Sequence, residues 1–585
     1  MSASARRALA GAALLVVSLL AWAGSDAARR TFWTTVDEPY HVTEARGLVL
    51  RQGLASHPEQ GTLFKLLTAA PLAHEVPARS IDDVRRSRSA FPFVFAALVL
   101  AAGLWVTARS GAVLGLATAA LLALDPSLRG HGALVKSDVL ITATLVATAA
   151  LLDVGLRARG RARGTLLLAA GVACGLALLS KASAFALLPL LLAAGLVRGE
   201  GERRREPITR RAALLAALFV LPALLTFAAV QEAAWRRVPR PEIARSIETL
   251  YRGVPAEKAV RRAEDLPKGL GAWVAGVTYL SDRGVPGKWC NYFFGRVSGG
   301  GFPLYYVVAV ALKLTTATVL YVVLAPGLLA LALTRSGPLR RRRLARLARS
   351  RAGLPLLLGA GYLALFSAGN VDTGVRYVFP ATAFLLVAAA GAARTVPASR
   401  GRRAAALLAV VVLSAAEAWA YRGREISFGN LLAGGPHGLR AALSDSNVEW
   451  GQEQGKLFER VRKGDLGHVG VVTLGLDWPE AHRAGVAAWM SRPDDAAVDT
   501  VFVSTFYRDL AHALARYDEG LRYPWIAYVR SWLVPLVLTL ESRAASAEPF
   551  GDGYLMLRLK PPPARLFPPG LGPATPPRAP ENATP

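Results

Sequence analysis

Apolar positions in this chain come in long unbroken runs rather than in alternation. Mostly hydrophobic stretches occupy residues 9–24, 88–108, 111–124, 136–156, 165–180, 183–197, 212–234, 314–334, 353–368, 377–393 and 404–420. A helix needs about 20 such residues to cross the hydrocarbon core, so the pattern predicts about 11 membrane-spanning helices. Past residue 420 the runs give way to a mixed polar sequence of ordinary domain size. The expected organisation is a mainly α transmembrane domain over 1–420 and a soluble α/β domain over 421–560. A Pro-rich tail, expected to be disordered, follows over 561–585.

The polar residues set the orientation. Arginines cluster in the short connectors, at 157–163, 198–211, 335–351 and 394–403. The bias of cytoplasmic loops toward Lys and Arg puts all four clusters inside. An odd number of crossings then places 25–87, 125–135, 235–313, 369–376 and the C-terminal domain on the outer face. Arg6-Arg7 followed by an apolar stretch reads as an uncleaved anchor rather than a removed signal. This arrangement predicts a multi-pass protein of the plasma (inner) membrane.

Two further features follow from the pattern. The first outer loop holds amphipathic stretches, Tyr40–Leu54 and Thr62–Leu72, suited to the membrane surface. Residues 302–334 are too long for one crossing, so a break is expected near Lys313-Leu-Thr315. It would leave an interfacial helix over 302–312 and Lys313 at the outer boundary.

Composition agrees: of 585 residues 53% are hydrophobic and 19% charged, which excludes a soluble enzyme of this size. The net charge of +28 is spent in the connectors, so it sets topology and contacts anionic lipid; no nucleic-acid partner is expected. Two cysteines, Cys174 in an apolar run and Cys290 in a loop, offer no disulfide framework.

The unusual polar residues all fall on the outer side: Asp37, Glu38, His57, Asp125, His131, Lys136, Asp138, Lys181, Lys313, Asp372, Arg376 and Tyr377. Ionisable groups at a membrane boundary are costly and face a cavity or a partner. Each has a plainer alternative. Asp37 with Pro39 behind it makes a good helix start, Asp138 suits a cap or a pair with Lys136, and Lys181 and Arg376 can snorkel to the interface. The histidines lack metal-ligand spacing. Carboxylates beside Lys and Arg suit transfer from a phosphate-linked lipid: cations hold phosphate, and an ionised Asp takes a proton. Gly299-Gly300-Gly301 lacks the Lys-Ser/Thr of a P-loop, so a nucleotide donor is not indicated.

Four segments carry a family resemblance. Asp37-Glu38-Pro-Tyr-His-Val-Thr-Glu-Ala-Arg-Gly47, Leu134-Val-Lys-Ser-Asp138, Leu179-Ser-Lys181 and Gly374-Val-Arg-Tyr-Val-Phe-Pro380 resemble motifs of the GT-C glycosyltransferases. The nearest are bacterial relatives of the dolichyl-phosphate-mannose protein mannosyltransferases and the lipid A aminoarabinose transferases. The likeness covers roughly residues 5–420. Departures at 57–65, which lacks a Pro-Pro-Leu, and at Lys313-Leu-Thr315, in place of Lys-Thr-Pro, bear on the donor pocket and the substrate.

The resemblance implies transfer of a sugar from a polyprenyl-phosphate donor to an extracytoplasmic protein, lipid or glycan, with inversion. It makes Asp37 the base or acceptor-orienting group and gives Glu38 a supporting, acceptor or metal contact. Lys181 and Arg376 would hold the lipid phosphate, and Tyr377, Asp138, Lys313 and His57 would complete the substrate site. No certain cofactor is implied, and a divalent metal is left open. Asp445-Ser-Asn-Val-Glu-Trp-Gly-Gln452 also recurs in some of these bacterial proteins and reads either as a turn with a helix cap or as an acceptor-binding segment. The rivals are a lipid-linked sugar flippase or transporter, which predicts broken helices or inverted repeats, and an O-antigen-ligase-like enzyme, which relies on late-loop arginines.

Overall fold

The computed structural model describes residues 2–51, 59–72, 81–198, 207–243, 266–334, 350–395, 398–490, 497–516, 523–561 and 564–565. Each of the predicted apolar runs is helical. Among the described residues, six helices are long and apolar enough to cross a membrane: Ser4–Thr31, Ile81–Ser110, Ser137–Gly155, Gly160–Ser180, Ile208–Trp235 and Val375–Ala393. Shorter apolar helices cover Ala112–Leu124, Ala182–Leu196 and Gly353–Ser367, and Arg400–Trp419 follows the last arginine cluster. Helices satisfy their own backbone groups, which is why apolar sequence of this length adopts them.

Burial separates centre from rim. The most apolar window of Val375–Ala393 is 89% buried and that of Ser137–Gly155 78%, against 28% for Ser4–Thr31 and for Ile208–Trp235. The central helix is rich in Ala and carries Gly391, small residues that let neighbouring backbones approach closely. At Gly391 a side chain would come 2.7 Å from the backbone nitrogen of Ala352. The two helices that carry the candidate residues Asp138 and Arg376 at their starts are thus the most firmly held.

The break expected near Lys313 is present. Helix Tyr305–Lys313 ends there, and the chain bends by 120° into the helix that begins at Thr316. The amphipathic stretches after the first apolar run also form helices, Glu38–Val49 and Thr62–Ala69.

The C-terminal region is α/β, as expected. Its five-stranded sheet runs, in spatial order, Val486–Trp489, Val469–Val472, Thr500–Ser504, Tyr554–Leu559, Ala544–Phe550. The first three pair in parallel and the last two join antiparallel. Strands Val469–Val472 and Thr500–Ser504 are buried along their whole length, as central parallel strands covered on both faces should be. Helices Thr505–Arg516 and Pro524–Ser542 cover the sheet through Leu510, Leu514, Leu533 and Val537. Most of the Pro-rich tail lies outside the described residues.

Candidate active site

The site is built on a corner. After the first helix the chain runs out to Thr35 and turns at Asp37 into helix Glu38–Val49, with Pro39 in its first turn. Glu38 is fully buried. Its carboxylate pairs with Arg88, whose Nε lies 2.8 Å from Oε1, and accepts from the Thr35 amide and the Val135 amide, each at 2.8 Å. Arg88 also donates to the carbonyls of Phe32 at 2.8 Å and Trp33 at 2.6 Å. Burial alone would raise the Glu38 pKa, but the Arg88 charge and the two amides hold it below the usual carboxylate range. One ion pair therefore fixes the end of the first helix, the start of the next, the loop before Ser137–Gly155 and helix Ile81–Ser110 relative to one another.

That corner presents Asp37. Its side chain makes no capping bond to its own helix. It forms an ion pair with Lys136 instead and keeps 28% of its side-chain surface exposed. Lys136 Nζ is also 3.1 Å from His41 Nε2 and 4.1 Å from the Trp450 ring centroid. The residue before Ser137–Gly155, the residue after Gly160–Ser180 and the start of Val375–Ala393 then converge. Lys181 Nζ donates to Asp138 Oδ1 at 2.7 Å, and Arg376 Nε lies 3.8 Å from Asp138 Oδ2. Both cations sit over the Tyr377 ring, at 4.6 and 4.9 Å, and Arg376 also sits 4.0 Å from the Trp450 ring centroid. Burial would lower the Lys181 pKa; the Asp138 charge reverses this and raises it, so the amine stays protonated.

The fold thus joins Asp37, Lys136, Asp138, Lys181, Arg376 and Tyr377 through shared partners. Gln60 closes one side: it bridges to Lys181 through the backbone and accepts from Ser137 Oγ at 2.6 Å. Lys313 lies elsewhere. Its buried amine donates at 2.7 Å to the carbonyls of Ile426 and Asn447, behind the loop that carries Trp450. His57 lies outside the described residues. His131 is buried against Phe379, and burial together with Arg376 pushes its pKa down to about 3, which keeps it neutral. Asp372 accepts from the Phe302 amide at 2.5 Å, and burial pushes its pKa up to about 7.

Sequence reasoning did not assign Arg88, Gln60 or Trp450 to the site. Arg88 opens an apolar run, where a cation is costly unless paired, and that signal was legible. Gln60 and Trp450 lay within segments that the motif comparison singled out, 57–65 and 445–452, but neither side chain was itself assigned a role.

Among the described residues no group of three or more His, Cys, Asp or Glu side chains is placed to hold a metal ion. The acids of the site face cations instead: Asp37 meets Lys136, Glu38 meets Arg88, and Asp138 meets Lys181 and Arg376. This donor set suits an anionic ligand that displaces carboxylates from Lys and Arg, and it does not fit a divalent cation.

Residues 81–228 match the family model of dolichyl-phosphate-mannose-protein mannosyltransferases. The matched segment contains Arg88, Lys136, Asp138 and Lys181, and it agrees with the resemblance read from the motifs. No curated protein matches the chain. Among solved structures, the chain is similar to the apo oligosaccharyltransferase of Archaeoglobus fulgidus, at 12% identity and a TM-score of 0.45, over 85% of this chain and 71% of that one. It is also similar to ArnT from Cupriavidus metallidurans bound to undecaprenyl phosphate, at 12% identity and a TM-score of 0.31, over 95% and 98% of the two chains.

Proposed function

We propose, from the likeness of residues 81–228 to the mannosyltransferase family and from the cation cluster at the helix starts, that this chain is an inverting membrane glycosyltransferase. Its donor is a polyprenyl-phosphate sugar, and its acceptor is an extracytoplasmic protein, lipid or glycan carrying a hydroxyl or amine. The observation that carries the reading is the meeting of Lys181 and Arg376 on one buried carboxylate, Asp138, within the same network as the partly exposed Asp37. The matched family's name specifies a lipid-phosphate sugar as donor.

The residues divide the reaction as follows. The donor phosphate takes the place of Asp138 as the partner of Lys181 and Arg376, whose charges offset the negative charge that grows on the leaving group. Asp37, ionised beside Lys136, accepts the proton of the acceptor O–H or N–H. The freed electron pair forms the bond to the anomeric carbon. The bond from that carbon to the phosphate oxygen breaks on the opposite face, and polyprenyl phosphate leaves with the electron pair, which gives inversion. Glu38 positions Asp37 through Arg88 and touches no reactant. No step passes through a metal.

Membranes carrying the protein, incubated with labelled polyprenyl-phosphate sugars and cell-envelope extract, test this reading. Transfer is expected from at least one monophosphate donor and is expected to fall about 100-fold or more in Asp37→Asn. Undiminished transfer by that variant would sink the assignment of the base, and no transfer from any monophosphate donor would favour a flippase or a ligase.

A further inference from the structure

The loop Ser444–Gln452 joins helix Gly435–Ala442 to helix Gln454–Arg462, yet three of its side chains, Ser446, Asn447 and Trp450, are committed to the membrane half. Ser446 Oγ accepts from Arg376 and donates to the Thr373 carbonyl. Asn447 accepts from the Val375 amide at 3.0 Å and donates to the Tyr305 hydroxyl at 2.8 Å. Trp450 carries Lys136 and Arg376 over its ring. The sheet side is tied down as well: Glu449 accepts from Ser504 Oγ at 2.6 Å and from the Gly451 amide at 2.6 Å.

One acid in the loop does none of this. Asp445 sits at φ 60°, in the left-handed region. Its carboxylate accepts from the neighbouring Ser446 amide at 2.5 Å, and among the described residues no cation forms an ion pair with it. It lies beside the site: its neighbour Ser446 is bonded to Arg376, and Asp445 itself is only partly buried. Burial pushes its pKa up to about 6, with Arg376 opposing and Asp37 adding to the rise, so at neutral pH it accepts hydrogen bonds and does not donate them. Asp tolerates the left-handed region better than most residues, but the conformation is uncommon for it and clusters at functional sites. The loop is held at several points, and its contact through Ser446 to Arg376 sets the partly exposed Asp445 at the edge of the site.

We propose that Asp445 is an acceptor-binding residue: its carboxylate takes a hydrogen bond from the acceptor's nucleophilic hydroxyl or amine group and orients it toward Asp37. The C-terminal α/β region thereby supplies one wall of the site, and the site is incomplete without it. The inference rests on the glycosyl-transfer reading. Because Asp37 still takes the proton, the bonds made and broken are those given above.

The test uses the full chain in membranes, a labelled polyprenyl-phosphate sugar that the wild type transfers, and serial dilutions of envelope extract as acceptor. Asp445→Asn is expected to lower kcat/KM for the extract about tenfold, the loss of one charge-assisted hydrogen bond, with the donor KM unchanged and Asp445→Glu recovering part of the loss. Two results would overturn the proposal. One is extract dependence equal to wild type. The other is a parallel loss of donor binding, followed with undecaprenyl phosphate, or of thermal stability, which would mark Asp445 as a structural part of the loop. Failure of the wild type to transfer from any donor would overturn the underlying reading, and is distinguished by involving no variant.

Discussion

Glu38 is enclosed by Arg88, two backbone amides and a threonine hydroxyl, whereas Asp37, one residue earlier, keeps 28% of its side chain exposed and faces Lys136 across the site. Both are carboxylates beside a cation. Around Glu38 every nearby donor is intramolecular and the geometry closes on itself, as a structural ion pair must if its desolvation is to be offset. Around Asp37 the cations outnumber what the acid needs: Lys136, Lys181 and Arg376 share Asp37 and Asp138. An excess of fixed positive charge beside a partly open acid is poorly suited to stability alone and well suited to an anionic ligand.

The largest effect that would sharpen this contrast is on folding. Arg88→Leu leaves Glu38 charged and buried without its partner, a loss of about 3–5 kcal/mol. The variant is expected to show little folded protein in detergent by fluorescence-detected size exclusion. Normal yield would mean that the corner is not what holds the first helix to the second loop. Asp37→Asn should do the opposite, leaving yield and melting temperature near wild type while transfer falls about 100-fold or more. Lys181→Ala comes next: removing one charged partner of the phosphate should raise the donor KM about tenfold with a smaller change in kcat. An unchanged donor KM would break the division between structural and ligand-binding pairs.

The smallest expected effect extends the comparison to a third acid, Glu449, in the loop that bonds to the C-terminal sheet. Burial pushes the Glu449 pKa up to about 7, above its ordinary 4.5, despite the hydroxyl of Ser504 and the amide of Gly451. The folded state thus holds a proton that the unfolded chain gives up earlier. Stability from this group is full below about pH 4.5, declines as pH rises toward 7 and is flat above it. Thermal melts of the detergent-solubilised protein should fall by a few degrees from pH 5 to pH 8, and Glu449→Gln should flatten that slope. A slope unchanged by the substitution would remove Glu449 as its source.

The membrane helices were legible in the sequence because hydrocarbon imposes a length and a composition that few other segments meet. The break at Lys313 was legible for the same reason, since residues 302–334 exceed one crossing. The α/β character of the C-terminal region followed from its polar, mixed pattern. Asp37, Asp138, Lys181 and Arg376 stood out because an ionisable group near hydrocarbon needs an explanation. That same rule reached neither the separate lot of Glu38 nor the displacement of Lys313. Both depend on which neighbours the packed helices bring within 3 Å, and no local pattern encodes that.

What the sequence determined by itself was that the long apolar runs are helices, because this follows from transfer free energies summed along the chain. What only the tertiary structure decided was the pairing. Arg88 is 50 positions from Glu38, Lys136 is 99 from Asp37, Lys181 is 43 from Asp138 and Ser446 is 70 from Arg376. Ion pairs and hydrogen bonds act over a few ångströms, so their partners are fixed by which helices pack together, and by a C-terminal loop that lays Trp450 and Asp445 beside the membrane helices.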